Sequence, residues 1–290
     1  MAKYLKPFWI SLFYCFAITI LLLQNTCNAA EHYPKRIVSL GPIITDMIFL
    51  LEADDRLIGI TSYCIPPATS EPKEIIGTVM QMNVEKIISM EPDLVIANAL
   101  TRQKQIIVLQ KQGLNVIKLP TPKNFDEICQ RLLELGKIIG GHAKAIEVIN
   151  KARHGVEKIR TAAKNLQKKT VFIQIGLKPL KTSGKGTFIN EYIEFAGGRN
   201  IALDAKDGIF SREKVLQLDP DVIFIATMGS SKKAGNTEKQ AWMKFKFLRA
   251  SKNNEIHVLD PDIVCSPTPS IFLQGLNDFY GFIHPEMKNE

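Results

Sequence analysis

Residues 84–96 read VEKIISMEPDLVI and residues 212–224 read REKVLQLDPDVIF, an internal repeat at an offset of 128 residues. Glu85, Lys86, Pro92 and Asp93 return as Glu213, Lys214, Pro220 and Asp221. Ile87, Ile88, Met90 and Glu91 meet Val215, Leu216, Leu218 and Asp219. Both copies predict a short helix, a Pro-Asp turn and a strand, Leu94 to Ala97 in the first and Val222 to Ala226 in the second. A strand apolar at every position suits a parallel sheet covered on both faces. One unit occurring twice in the same grammar predicts two similar α/β halves.

Further short runs rich in Ile, Val and Leu extend this scheme. They are Arg36 to Leu40, Leu57 to Thr61 and Val116 to Leu119 in the first half, and Val171 to Ile175 and Ile256 to Leu259 in the second. Helical patterns at Ile43 to Leu51 and Phe125 to Ile139 alternate with them, as in parallel sheets with right-handed crossovers. Between the halves, His142 to Leu166 carries Ile146, Ile149, Ala152, Val156, Ile159, Ala163 and Leu166 at steps of three and four, with no proline and one glycine, Gly155. A helix of that length makes a stiff link.

The first 30 residues belong to another class. Lys3 and Lys6 precede an apolar stretch from Phe8 to Leu23, and the small residues Ala29 and Ala30 follow. This is the layout of an export signal cut before Ala30 or Glu31. The apolar stretch is shorter than the roughly 20 residues of a membrane span. Gln24-Asn25-Thr26 before Cys27 is a poor match to a lipoprotein signal. Three cysteines then remain, Cys64, Cys129 and Cys265, too widely spaced for a CxxC site and read as small buried hydrophobes. The formal net charge of +8 is spread along the 290 residues without a basic run, so it does not point to nucleic acid.

Ligands of open parallel sheets bind at the carboxyl ends of the strands. That nominates Gly41-Pro42, Ser62-Tyr63, Met80-Gln81 and Asn98 in the first half, and Gly176 to Lys178, Thr227-Met228 and Asp260 to Asp262 in the second. Catalytic signatures do not accompany them. There is no GxSxG and no HExxH, none of the five histidines adjoins a nucleophile motif, and no His/Asp/Cys cluster has metal-ligand spacing. Ser183-Gly184-Lys185-Gly186-Thr187 lacks the GxxxxGK[ST] order of a phosphate loop and reads as the lead into a helix from Phe188 to Ala196. The reading is a binder, with an exported α/β enzyme as the alternative.

RIVSLGPIITDMIFLLEADDRLIGIT (36–61), the VEKIISMEPDLVIA block, TSGKGTFINEYIEFAGGRNIA (182–202) and SREKVLQLDPDVIFIA (211–226) resemble the periplasmic solute-binding proteins of ABC importers. The similarity is to the group that carries cobalamin, haem and iron–siderophores, with the cobalamin pattern nearest. It implies two Rossmann-like lobes with parallel sheets, joined by one long rigid helix, with the ligand in a cleft between them. The expected partition is a signal at 1–30, an N-terminal lobe at 31–141, a connecting helix at 142–167 and a C-terminal lobe at 168–290.

The resemblance also implies site residues. Tyr63 matches an aromatic beside the corrin, and Asp262 an acidic cleft residue. Val79 or Met80, with Asn98, Ile175 and Phe210, stand where the cobalamin binders carry aromatic walls, and Phe210 alone is still aromatic. Lys178 sits at the second lobe's rim with Lys181 and Lys185, which would suit the propionates of haem or an anionic siderophore. Tyr63, Met80 and Cys265 are the residues positioned to approach a haem iron. The bound chelate would be cargo, with no resident cofactor or metal. Glu85 and Glu213, one per lobe, are expected to meet arginines of a two-fold symmetric permease dimer that works with its ATPase, the binder itself being a periplasmic monomer.

Overall fold

A computed structural model describes residues 33–227 and 232–289. The export segment, with Cys27 and the cleavage position, and the nominated Met228 lie outside the described residues. Among the described residues no helix is long and apolar enough to cross a membrane.

The chain runs β1 (Ile37–Leu40), α1 (Pro42–Leu50), β2 (Leu57–Ile60), β3 (Glu74–Ile75), α2 (Val84–Ser89), β4 (Leu94–Ala97), α3 (Gln103–Lys111), β5 (Val116–Lys118), α4 (Phe125–Ile139) and α5 (His142–Ala163). It continues with β6 (Thr170–Gln174), α6 (Phe188–Phe195), β7 (Arg199–Asn200), α7 (Arg212–Leu218), β8 (Val222–Ile225), α8 (Lys232–Met243), α9 (Arg249–Lys252), β9 (Ile256–Val258), α10 (Pro261–Cys265) and α11 (Pro269–Ile283). Two sheets result, ordered β3-β2-β1-β4-β5 and β7-β6-β8-β9, and every pairing within them is parallel.

The repeat holds in three dimensions. Asn83 and Ser211 are the N-caps of α2 and α7, accepting from the amides of Lys86 at 2.9 Å and Lys214 at 3.1 Å. Both helices end at a non-glycine residue in the left-handed region, Glu91 (φ 45°) and Asp219 (φ 44°), just before Pro92 and Pro220. The next residue in each copy secures the neighbouring strand. Asp93 accepts from the amides of Lys35 and Arg36 at the entry to β1. Asp221 accepts from the amide and hydroxyl of Thr170 at the entry to β6. Pro-Asp therefore recurs because it stops a helix and ties the central strand to its partner.

Alternating residues of these strands enter different cores, which explains their unbroken hydrophobicity. Val38, Leu40, Val95 and Ala97 pack on the outer face of the first sheet. Phe172, Ile223 and Ile225 pack with Trp242 on the outer face of the second. The inner faces share one core, from Ile37, Leu57 and Ile96 through Ile139, Val156 and Ile159 to Val171, Val222 and Phe224. A stack of rings crosses it: Phe125–Phe272 at 4.7 Å between centroids, Phe272–Tyr192 at 4.3 Å, Tyr192–Phe279 at 5.0 Å and Phe279–Phe224 at 4.4 Å. Residues 34–290 accordingly form one compact unit.

The linking helix is 22 residues and ends at Ala163 rather than Leu166. Its last turn tightens, with the amides of Lys164 and Leu166 reaching back only three residues. The buried stripe begins at Ala145, and Ile146, expected on that face, is exposed. Gly155 faces α11, where a Cβ would come within 2.5 Å of Leu273. The Ser183–Thr187 segment is a cap, as expected: Thr187 accepts from the amide of Asn190, and Asn200 donates to the carbonyl of Ser183.

Candidate functional site

The strand order reverses direction between β1 and β4 in one sheet and between β6 and β8 in the other. Such switch points splay the loops at the carboxyl edges and open a crevice there. At the first, Asn98 Oδ1 accepts from the amides of Leu100 and Thr101 at 2.9 and 3.1 Å. Its amide nitrogen lies 2.3 Å from where a Cβ on Gly41 would fall, so a side chain at 41 would have to displace the Asn98 amide. Asn98 thus shapes the loop and holds Leu100 and Thr101 in place. Ser39 and Thr45 support the same turn from below, Thr45 donating to Ser39 at 2.9 Å and Ser39 to the carbonyl of Gly41 at 3.0 Å.

The loops beyond the strand ends carry large apolar side chains that the cores leave out. Tyr63 is 66% exposed, Ile65 78%, Met80 48%, Leu100 64% and Ile209 50%. Leu177 is also exposed. Apolar side chains gathered on one edge are the usual signature of a binding surface. Tyr63, Met80 and Leu177 are the sequence-predicted members of this set. Ile65, Leu100 and Ile209 are additions that the sequence reading misses. Their signal is an Ile or Leu shortly after a strand end or just before a helix cap, a position that polar turn residues normally fill.

Each half presents its loop on a short hairpin. In the first, Gly77 and Met82 form an antiparallel bridge, and the amide of Thr78 donates to the carbonyl of Gln81 at 3.0 Å, leaving Met80 at the tip. Gly77 has φ 103°, and a Cβ there would meet Gln81 O at 2.5 Å, so this tight turn requires glycine. In the second, Gly176 bridges to Lys181, with Leu177 and Lys178 at the tip, and Lys181 bridges on to Ile209. Ile175 is half-buried against the shared core, and Lys178 is exposed.

Phe210 stands elsewhere. It is buried, its ring 5.8 Å from that of Phe172, with the Lys214 ammonium 4.9 Å from the ring centroid on its remaining face. It belongs to the outer core of the second half, because an aromatic next to a helix cap packs more cheaply inward than outward.

Asp262 is exposed at the start of α10, whose cap Asp260 accepts from its amide at 3.0 Å. Burial pushes Asp46, on α1 of the other half, up to about 6, and the Asp262 carboxylate adds to the rise. The two acids therefore sense each other across the halves. Burial also pushes Cys265 up to about 12, Asp262 again contributing, so the thiol stays neutral, and it donates to the carbonyl of Ala226. Cys64 and Cys129 are buried, and all three cysteines are free thiols. Among the described residues no three His, Cys, Asp or Glu side chains are grouped as metal ligands.

Glu85 and Glu213 are both exposed, each in the first turn behind its cap, where the helix dipole favours a carboxylate. A groove lies between two helices, away from the loops at the strands' carboxyl edges. It has a volume of about 390 Å³ between α4 and α5, lined by Cys129, Leu133, Ile146 and Arg153 among others.

Residues 37–263 match the family described as periplasmic binding protein. The chain belongs to that family. This periplasmic binding protein is 29% identical over 283 residues to the uncharacterized ABC transporter substrate-binding lipoprotein YvrC of Bacillus subtilis, covering 95% of this chain and 88% of the relative. Among solved structures, a possible iron-binding (periplasmic solute-binding) protein from Staphylococcus epidermidis superposes with a TM-score of 0.76 at 27% identity, covering 87% of this chain and all of the other. The periplasmic vitamin B12-binding protein BtuF of Vibrio cholerae superposes at 0.73 with 25% identity, covering 88% of this chain and 98% of that one. The two-lobed architecture with a cleft between the lobes is common to the group.

Proposed function

We propose that this periplasmic binding protein is the solute-binding component of an ABC importer and captures a metal chelate, a corrinoid first, in the cleft between its lobes. The observation that carries the reading is the set of large apolar side chains, Tyr63, Ile65, Met80, Leu100, Leu177 and Ile209, left exposed on the loops at the strands' carboxyl edges. A corrin macrocycle presents broad apolar faces with amide-bearing edges. Tyr63 matches it with a flat ring and a polar tip, and Asp262 accepts from amide N–H groups. Asn98 acts beneath the surface by positioning Leu100, Ile175 supports the second hairpin, and Phe210 backs it from the core. The vitamin B12-binding and iron-binding relatives support the ligand class. A haem or ferric siderophore is the second reading, favoured by the exposed Tyr63 phenol as an iron ligand and by Lys178 as a partner for an anionic group.

The same reading makes the chain extracytoplasmic, exported through a signal cut before Ala30 or Glu31. It acts as a monomer that docks on a permease dimer through Glu85 and Glu213. It works as a binder without turnover, in keeping with relatives named as transporter and binding components. Titration of the purified protein with cyanocobalamin tests the site. Tyr63→Ala should weaken binding about tenfold, the scale expected of one aromatic contact, while leaving the folded circular dichroism spectrum unchanged. Equal affinities for wild type and variant would remove Tyr63 from the site.

A further inference from the structure

Charge is unevenly placed on the folded chain. Beyond residue 30 there are 35 Lys and Arg against 29 Asp and Glu. Eight of the former and two of the latter fall within 142–169, from the linking helix to the entry of β6, which leaves 27 of each sign everywhere else. The excess of six positive charges therefore belongs to α5 and the six residues after it. The sequence shows no basic run because these cations are interspersed, and only the helix brings them together. Lys144, Lys151 and Lys158 recur at steps of seven and form one row along it, and Arg153 and Arg160, also seven apart, form a second. Lys144 is paired with Glu52 at 2.9 Å and with Glu147 at 3.2 Å, Arg153 with Asp126 at 2.7 Å, and Arg160 with Glu157 at 3.2 Å. Lys151, Lys158, Lys164 and Lys168 are exposed and have no ion pair among the described residues.

This side of the molecule is not the cleft side. α5 begins beside Glu52, five residues ahead of β2, and the run after it leads into β6, so its ends lie by the amino edges of the two sheets. Tyr63, Met80 and Leu177 lie at the carboxyl edges, with Glu85 just behind the Gly77–Met82 bridge and Glu213 just behind the Lys181–Ile209 bridge. We propose that the exposed face of α5 is a docking surface for an anionic phospholipid bilayer, on which the protein rests with its cleft turned to solution. Charge complementarity argues for it. Cations strung along a helix of about 33 Å converge on no single point and suit an extended anionic plane better than one small anion. The strip between the rows is polar, with Asn150, His154 and Thr161 exposed. Ile146, the large apolar side chain exposed on this helix, lines the groove beside α4 instead. The face thus lacks the apolar centre that a protein partner would bury, and it adsorbs without inserting. The inference goes beyond the ligand reading and holds whichever solute fills the cleft.

Residues 31–290, which contain the compact unit 34–290, are the form to test. Vesicles of phosphatidylcholine containing about a quarter phosphatidylglycerol should sediment the protein with them at low salt, and vesicles of phosphatidylcholine alone should not. Salt at about 1 M, where the screening length falls to about 3 Å, should release it. Lys151→Gln/Lys158→Gln/Lys164→Gln/Lys168→Gln should weaken binding by about a hundredfold or more, at about fivefold per lysine, with an unchanged circular dichroism spectrum. Lys104→Gln/Lys111→Gln/Lys123→Gln/Lys244→Gln removes the same charge from exposed positions off this face and should bind nearly as wild type does. Equal losses in the two variants would show that net charge alone is at work and would overturn the surface. So would an absence of binding to the anionic vesicles, or equal binding to the neutral ones. Displacement by glycerol phosphate at the same phosphate concentration would mark a site for a single anion and overturn it too.

Discussion

The two lobes agree where they build a frame and part where they line the cleft. From the cap to the central strand, the first lobe's 83–97 and the second lobe's 211–225 match in cap, left-handed stop, Pro-Asp tie and strand bounds. Beyond the strand ends the likeness stops. The first lobe offers Tyr63, Ile65, Met80 and Leu100, and the second offers Leu177 and Ile209 beside Lys178, with its larger aromatics drawn inward into the ring stack and around Trp242. The difference teaches that the repeated block carries the architecture, with one first-turn glutamate in each copy, while the loops beyond the strand ends are free to diverge.

The largest effect should come from the rings that join the lobes. Phe272 stacks on Phe125 from one side and on Tyr192 from the other. Phe272→Ala should cost about 3–5 kcal/mol in urea denaturation, as other buried Phe truncations do. A small loss would mean that the lobes are held together by something other than this stack.

Next come the two ties, which test how alike the copies are. Asp221→Ala strips partners from the amide and hydroxyl of Thr170 and also ends a contact with Arg249. It should cost about 2–3 kcal/mol, and Asp93→Ala, whose partners are exposed amides, about 1 kcal/mol. Equal losses would say that the equivalence is energetic as well as geometric.

Asp46 supplies a pH dependence confined to the meeting of the lobes. Its folded value of about 6 stands above the 3.8 of the free side chain, so the folded state keeps the proton to higher pH than the unfolded chain does. The group costs nothing below about pH 4, and its penalty grows as pH rises to about 6 and then stays. Discounted for partial exposure, that penalty is about 1–2 kcal/mol. Asp46→Asn should therefore raise stability at pH 7 by about that much and leave it unchanged at pH 3.5 in chemical denaturation. No gain at pH 7 would show that Asp46 ionises without strain beside Asp262.

The smallest effect separates the two left-handed stops. Glu91→Gly should stabilise by about 0.5–1 kcal/mol by relieving the backbone. Asp219→Gly should not, because it also forfeits the bonds that Asp219 Oδ1 and Oδ2 accept from Arg249 at 2.8 and 3.0 Å.

Legibility in the sequence divides along the same line between frame and cleft. The frame is legible because repetition doubles its signal and burial on both faces writes unbroken runs such as Leu94–Ala97. Phe125–Ile139 is legible to its last residue because Asn124 caps it and Gly140 ends it in the left-handed region. The two-residue edge strands β3 and β7 are not, since two residues carry no period. Nor is Ala145 over Ile146 on the linking helix, where side-chain size misleads about which face is inward. Site residues read by likeness split accordingly. Tyr63 and Met80 stand exposed at the cleft edge, and Phe210 packs in the core, because position along the chain does not say which way an aromatic turns. The thermodynamic link between Asp46 and Asp262 lies 216 positions apart in sequence and leaves no local mark.

The most direct test of the central claim is the absorption spectrum of this protein purified without denaturation from cells that make it with its own export signal. A chelate-binding cleft predicts a co-purifying chromophore with corrinoid bands, lost on unfolding and regained stoichiometrically when cyanocobalamin is added back. A colourless protein that takes up neither cyanocobalamin, haemin nor a ferric siderophore on titration would contradict it.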